Sequence, residues 1–264
     1  MQRFKHRLTL VIAVLAGVPT VGLVGCSDLG THDLLVDGSD AVRSGALTED
    51  GWTLTFESVV VVLKHPGLVE DIDGEPAWVR EFGVTVWDVA TIADPAQDGV
   101  VASRMIRAKA YDGVDFQVSN PLAGGYDATA GNVDADVVTA MKDVDRGLRV
   151  VGTAGDGMST IAFDWTFDLA MRVRCPLGNS SFTLAADGQE SSIIEIAPEQ
   201  LFRGDEGMLN FDAVAAADGD GDGEVTRSEL ESAGLLELLG ERAKAVATVR
   251  GAEPCEIFEP DVEG

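Results

Sequence analysis

The chain has 264 residues, 45% of them apolar, which is enough for one large core or two small ones and excludes wholesale disorder. Lys and Arg total 19 against 45 Asp and Glu, a net charge of −26. So acidic a surface repels phosphate backbones, which argues against nucleic acid as a partner and makes cations the natural counter-species.

Arg3, Lys5 and Arg7 open the chain, and no charged residue follows from Leu8 to Gly25. A basic start, an apolar middle and small residues before a cut predict a secretory signal peptide over residues 1–25. The competing reading is an uncleaved membrane helix, which Pro19, Gly17, Gly22 and Gly25 weaken. Leu23-Val24-Gly25-Cys26 resembles a bacterial lipobox. That resemblance implies cleavage before Cys26, a diacylglyceryl group on it and an acylated new amino end. The expected location is therefore the bacterial cell envelope, at the outer membrane, with the N-terminal lipid as the membrane contact. Two or more acyl chains anchor stably where one is marginal.

Residues 26–50 are polar, Gly-spotted and acidic, and read as a tether with at most a short strand near Leu34-Leu35-Val36. On such a tether the acidic body is expected to stand off an anionic membrane and touch it only through the lipid.

Residues 51–198 read as the β-sandwich domain. Trp52, Leu54 and Phe56 alternate with Thr53, Thr55 and Glu57, and Val59 to Leu63 is continuously apolar. Short runs around Val84 to Val86, Val100 to Tyr111, Val114 to Val118 and Leu148 to Val151 follow, punctuated by Gly, Pro and Asp. One helix is expected near Val133 to Met141. The strongest signal is Ile161, Phe163, Trp165, Phe167, Leu169, Met171 and Val173, a period of two with one buried and one wet face. Phe182, Leu184, Ile193, Ile194 and Ile196 close the set. Many short strands with turn punctuation predict a mainly β fold, an antiparallel β-sandwich, followed by a small helical segment.

Residues 199–264 read as that helical tail. Within it, residues 218–229 run Asp-Gly-Asp-Gly-Asp-Gly-Glu-Val-Thr-Arg-Ser-Glu and match the EF-hand calcium loop position by position. Asp218, Asp220 and Asp222 fall at positions 1, 3 and 5, and Gly223 stands where the chain turns sharply. Glu224 offers its backbone carbonyl, Thr226 binds directly or through water, and Glu229 is the bidentate carboxylate. Alternate residues of a tight loop aim oxygens at one centre, which suits a hard cation such as Ca2+. A merely solvated acidic turn requires neither Gly223, apolar Val225 nor Glu229. Helices are expected over Leu209 to Ala217 and Arg227 to Leu239. EF-hands usually come in pairs. A second frame from Asp71 through Asp73 and Glu75 is broken by Pro76 and Phe82, so a structural rather than a switching calcium is expected.

Cys175 and Cys255 remain once Cys26 is lipidated, and export favours their oxidation to a disulfide. Other chemistry is thin. His32 and His65 are the histidines outside the signal segment, and neither a Gly-x-Ser-x-Gly nor a P-loop occurs. Asp164 and Asp168 share a strand face and could pair as acids, though a solvated face explains them as well.

Three stretches, Asp50-Gly51-Trp52-Thr53-Leu54-Thr55-Phe56, Tyr111-Asp112-Gly113-Val114-Asp115-Phe116 and Phe163-Asp164-Trp165-Thr166-Phe167, resemble uncharacterised bacterial surface lipoproteins. In those a β-rich body precedes a tail similar to Phe211-Asp212-Ala213-Val214-Ala215-Ala216-Ala217-Asp218 and the loop. Tyr111 to Val118, Met141 and Gly152 show a fainter likeness to the MbnP-like periplasmic proteins linked to copper acquisition, whose metal chemistry maps onto no residues here. The expected function is a lipid-anchored envelope protein, a binding or structural module and not an enzyme, that holds one calcium ion. The alternative is an envelope hydrolase acting on carbohydrate or peptide through carboxylates of the β-domain.

Overall fold

The computed structural model describes residues 28–259 apart from 73–74, 81–82, 123–124, 179–181 and 205. Cys26 and the predicted signal segment, residues 1–25, lie outside the described residues. The chain begins with β1 (Leu29–Gly38), α1 (Asp40–Ser44), β2 (Ala46–Leu47) and the long β3 (Thr53–Ile72). Next come β4 (Glu75–Arg80), β5 (Val84–Asp88), α2 (Pro95–Asp98), β6 (Val100–Arg107), β7 (Ala110–Tyr111), β8 (Gly113–Val118), β9 (Thr129–Ala130) and α3 (Ala135–Val144). The strands β10 (Leu148–Gly155), β11 (Thr160–Phe167), β12 (Met171–Pro176), β13 (Phe182–Thr183) and β14 (Gln189–Ile196) complete the body. The tail holds α4 (Asp212–Ala215), β15 (Glu224–Val225), α5 (Arg227–Ser232), α6 (Leu236–Ala243), β16 (Ala247–Val249) and β17 (Glu256–Phe258).

The mainly β fold expected from the sequence is present, as two large sheets and a two-stranded one of β7 and β13. The smaller of the two large sheets runs β16-β14-β1-β6, and the path of the larger is β15-β11-β10-β3-β8-β12-β17, with β2, β4 and β5 also on β3. Pairing is antiparallel except at β1–β14, β11–β15 and β5–β9. One face of each sheet supplies a shared core. Leu34, Val36, Ile194 and Ile196 of the small sheet pack in one cluster with Leu54, Phe56, Val61, Phe116, Val150, Phe163 and Trp165 of the large one. The unbroken run Val59 to Leu63 has a simple cause. Val59, Val61 and Leu63 point into this core, while Val60 and Val62 join Val84 and Val86 beneath Val138 and Met141 of α3. A strand covered on both faces loses its alternation.

The seven odd positions from Ile161 to Val173 are all buried, as their period predicts. They form two strands rather than one. β11 pairs with β10, and after Asp168–Ala170 the chain resumes as β12 beside β8.

The tether reading of residues 26–50 is corrected. Residues 29–38 are β1, held between β14 and β6, and a helix and a short strand follow before residue 50. Polarity in the sequence hid this strand because its charge is neutralised by distant residues. Asp37 is 1% exposed and is gripped by Arg43 at 2.6 Å and Arg250 at 2.9 Å. The tail is likewise not a separate helical unit. β16 extends the small sheet and β17 the large one.

Cys175 and Cys255 are disulfide-bonded, as expected, with Cα atoms 4.1 Å apart. Arg174 pairs with Glu256 across β12 and β17, so the two cysteines continue that antiparallel register directly opposite each other. Facing residues of an antiparallel pair have Cα atoms about 4.5–5.5 Å apart, and the separation here lies just below the usual range for disulfides.

His32 is buried in β1, its Nε2 3.1 Å from Ser192 Oγ. Burial disfavours the imidazolium and lowers its pKa to about 4, against an opposing pull from Asp33. Above the unfolded value of 6.5 the ring is neutral in both states. Between there and 4 the unfolded chain takes up a proton that the folded one refuses, so stability falls with pH. The loss attributable to this group is about 3 kcal/mol, complete below 4. His32→Gln is expected to flatten that part of the pH dependence of the urea midpoint. Parallel profiles for wild type and variant would refute it.

Candidate metal centre

The loop of residues 218–229 is held by the body at both ends. At its start, the Asp50 carboxylate accepts from the N–H groups of Phe211 and Asp212 at 2.6 and 2.7 Å. Those bonds satisfy the otherwise orphaned donors of α4. Trp52 Nε1 donates to Asp212 Oδ1 at 2.8 Å, and the Trp52 and Phe211 rings lie 5.2 Å apart. The helix expected over Leu209 to Ala217 is thus a single turn. Past the loop, the helix expected over Arg227 to Leu239 is broken into α5 and α6 at Gly234, which sits at φ 71°. That left-handed conformation ends a helix and suits glycine.

Inside the loop, Gly221 and Gly223 have φ of 73° and 84°. These values favour glycine, and they bend the chain around the Asp218 side chain. Asp218 accepts from Gly221 N at 2.8 Å and from Gly223 N at 3.1 Å. Asp220 accepts from Asp222 N, and Asp222 from Glu224 N at 2.8 Å. The result brings one carboxylate oxygen from each of Asp218, Asp220 and Asp222 within 4.8 Å of the others. Among the described residues this is the one group of three such ligands that converges. The donors are all oxygen, with no His or Cys, which is the chemistry of a hard cation.

The sequence-predicted ligands Thr226 and Glu229 lie at the other side of the loop and are engaged with each other. They form the capping box of α5: Glu229 N donates to Thr226 Oγ1, and the Glu229 carboxylate accepts from Thr226 N and Oγ1, each at 2.8 Å. Its second oxygen accepts from Gly219 N at 3.0 Å. Glu229 therefore ties the loop's start to its end, and these bonds, from Thr226 first and then Gly219, hold its pKa below the usual carboxylate range. Glu224 contributes position 7, with its side chain exposed.

The sequence held no indication of what faces the loop's short strand. β15 pairs in parallel with β11, Glu224 opposite Ala162 and Val225 opposite Phe163. Ala162 N donates to Gly223 O at 2.8 Å, and buried Trp165 Nε1 donates to Val225 O at 2.7 Å. Arg227 Nη1 reaches Thr166 O at 2.5 Å. A lone loop thus uses the edge of the body sheet where a paired one would use a second loop. The anchoring residues Asp50, Trp52 and Trp165 were visible in the sequence as parts of distinctive stretches, with nothing to mark their role.

The carboxylates of the alternative reading have separate partners. Asp164 makes a two-point ion pair with Arg149 at 2.8 and 2.6 Å, while Asp168 accepts from Asn120 at 2.8 Å. His65 is buried at φ 47° with its ring edge-on to Tyr126, and Asp115 is fully buried against Arg172. No family model matches the chain, and neither a curated protein nor a solved structure is detectably similar to it.

Proposed function

We propose that the protein is a lipid-anchored envelope module that binds one Ca2+ through Asp218, Asp220, Asp222, the Glu224 carbonyl, Thr226 and Glu229. The observation that carries this reading is the convergence of three carboxylates in a loop whose glycines already hold it curled. Bringing like charges together is unfavourable until a cation sits among them. Glu229 supplies its carboxylate by exchanging the hydrogen bonds from Thr226 and Gly219 for the metal. The ion then pins α4 and α5 to one another and, through β15, to the edge of the large sheet. Its role is structural. Anchoring through Cys26 is the second half of the proposal and rests on the Leu23-Val24-Gly25-Cys26 resemblance. Among the described residues no helix is long and apolar enough to cross a membrane.

A ligand bound by the native state alone stabilises it by about 2.7 kcal/mol at a hundred times Kd. Thermal unfolding with calcium and with chelator is expected to differ by roughly 5–10 °C for a chain of this size. Glu229→Gln and Asp218→Ala abolish most of that difference, while Glu231→Gln, exposed and off the loop, leaves it. An unchanged wild-type melting curve on chelation, with no heat of binding up to millimolar calcium, removes the site.

A further inference from the structure

Only Ser27 lies between Cys26 and Asp28, so their Cα atoms are within roughly 7.6 Å whatever the path. Asp28 and Leu29 are pinned into the body: Ala108 N donates to Asp28 O at 2.7 Å and Asp187 N to Leu29 O at 2.8 Å. A lipid on Cys26 therefore has no tether, and the Leu29 end of the sandwich must lie at the bilayer surface. That end has an unusual charge. From Gly99 to Tyr111 the chain carries no acidic residue, but it holds Arg104, Arg107 and Lys109, in a protein of net charge −26. Arg107 is exposed on β6, an edge strand of the small sheet, and Met105, on the same face, is 74% exposed, while Arg104 lies on the other face with Ile106. Arg107 sits directly opposite Leu29. Lys109 is ion-paired with Glu70, Asp28, Asp187 and Glu190 share this end, and Asp33 accepts from Ser103 of β6, so the cation at the very end of β6 is Arg107.

The carboxylate loop occupies the opposite pole. β1 runs away from Leu29 and hands over to α1 and β2, where Ala46 pairs with Leu54 at the start of β3. Thr53 pairs with Gly155, Gly155 with Thr160, and β15 lies beside the residues that follow. Ten residues of strand span roughly 33 Å.

We infer that the Leu29 end, with Met105 and Arg107, rests on anionic lipid headgroups and holds the carboxylate loop about 30 Å off the bilayer, facing away from it. The inference rests on the lipid-anchor reading and replaces the expectation of a body standing off its membrane. The short link from Cys26 sets which end faces the bilayer, and Arg107, opposite Leu29, supplies a cation there for an anionic headgroup.

The test uses the mature lipidated protein in vesicles of phosphatidylethanolamine and phosphatidylglycerol. Met105→Cys and Met158→Cys each add one free thiol for a fluorophore, since Cys175 and Cys255 are bonded to each other. Met158 is 92% exposed in the turn between β10 and β11, at the loop's pole. A quencher on the lipid headgroup should quench the label at 105 about three-fold more than that at 158. A Gly-Ser linker of about 15 residues, roughly 20 Å in root-mean-square span, inserted after Ser27 should reduce the difference. Arg107→Glu should reduce it too, on these vesicles and not on phosphatidylcholine. Equal quenching at both positions in protein that floats with the vesicles overturns the inference and leaves the anchor standing. An unmodified Cys26 with no flotation overturns both. Indifference to the charge reversal overturns the role assigned to Arg107.

Discussion

Trp165→Ala is expected to cost about 3–5 kcal/mol in unfolding free energy, the range for deleting a large buried aromatic. Trp165 is fully buried, stacks on Phe163 with centroids 4.8 Å apart and lies 6.1 Å from Phe202. Phe163 in turn meets Phe56, Phe202 and Phe211, so the cluster joins the body sheet to the tail. The indole nitrogen adds a second duty, holding the Val225 carbonyl at the edge of the carboxylate loop. Trp165→Phe separates the two. It keeps most of the packing, and it leaves a buried carbonyl without its donor, at about 1–3 kcal/mol. Hydrogen exchange should then quicken at Glu224 and Val225 while the amides of β10 keep their protection. Urea unfolding and residue-resolved exchange read both. Loop amides in Trp165→Phe that exchange at the wild-type rate would show that the indole does not hold the loop.

Reduction of the Cys175–Cys255 bond is expected to be almost as costly. The residues it links are 80 apart, and the chain-entropy model puts the stabilisation of such a loop at about 4–5 kcal/mol, an upper figure. The local structure cannot replace it. β17 pairs with β12 over three residues only, and Ile257 and Phe258 are 46% and 41% exposed. Without the bond β17 should leave first, uncovering the edge of β12. Under mild reductant the thiol of Cys255 should be alkylated before that of Cys175, which is fully buried. The double variant Cys175→Ala with Cys255→Ala should show the same fall in urea midpoint as the reduced wild type. Midpoints that agree with and without reductant would dismiss the bond as a source of stability.

Two parts of this protein were legible in the sequence because each is governed by neighbours in the chain. The alternation from Ile161 to Val173 needs only the pleat of a strand with one covered face, and those positions are the buried ones. The curled loop at 218–229 needs only aspartates at alternate positions and glycines free to adopt positive φ, and its carboxylates do converge. What remained hidden depends on partners far along the chain. β1 carries His32, Asp33 and Asp37, and its polarity reads as solvated until Arg250, 213 residues on from Asp37, neutralises the buried carboxylate. The helices around the loop were read as longer than they are, because propensity does not register that Asp50 caps α4 from 162 residues away or that Gly234 turns the chain. Local sequence thus determined the alternating strands and the carboxylate loop. Tertiary structure alone decided that the supposed tether is a central strand and that the lone loop takes a sheet edge as its partner. Burial and charge neutralisation are properties of the packed interior, and no window of sequence contains both sides of such a contact.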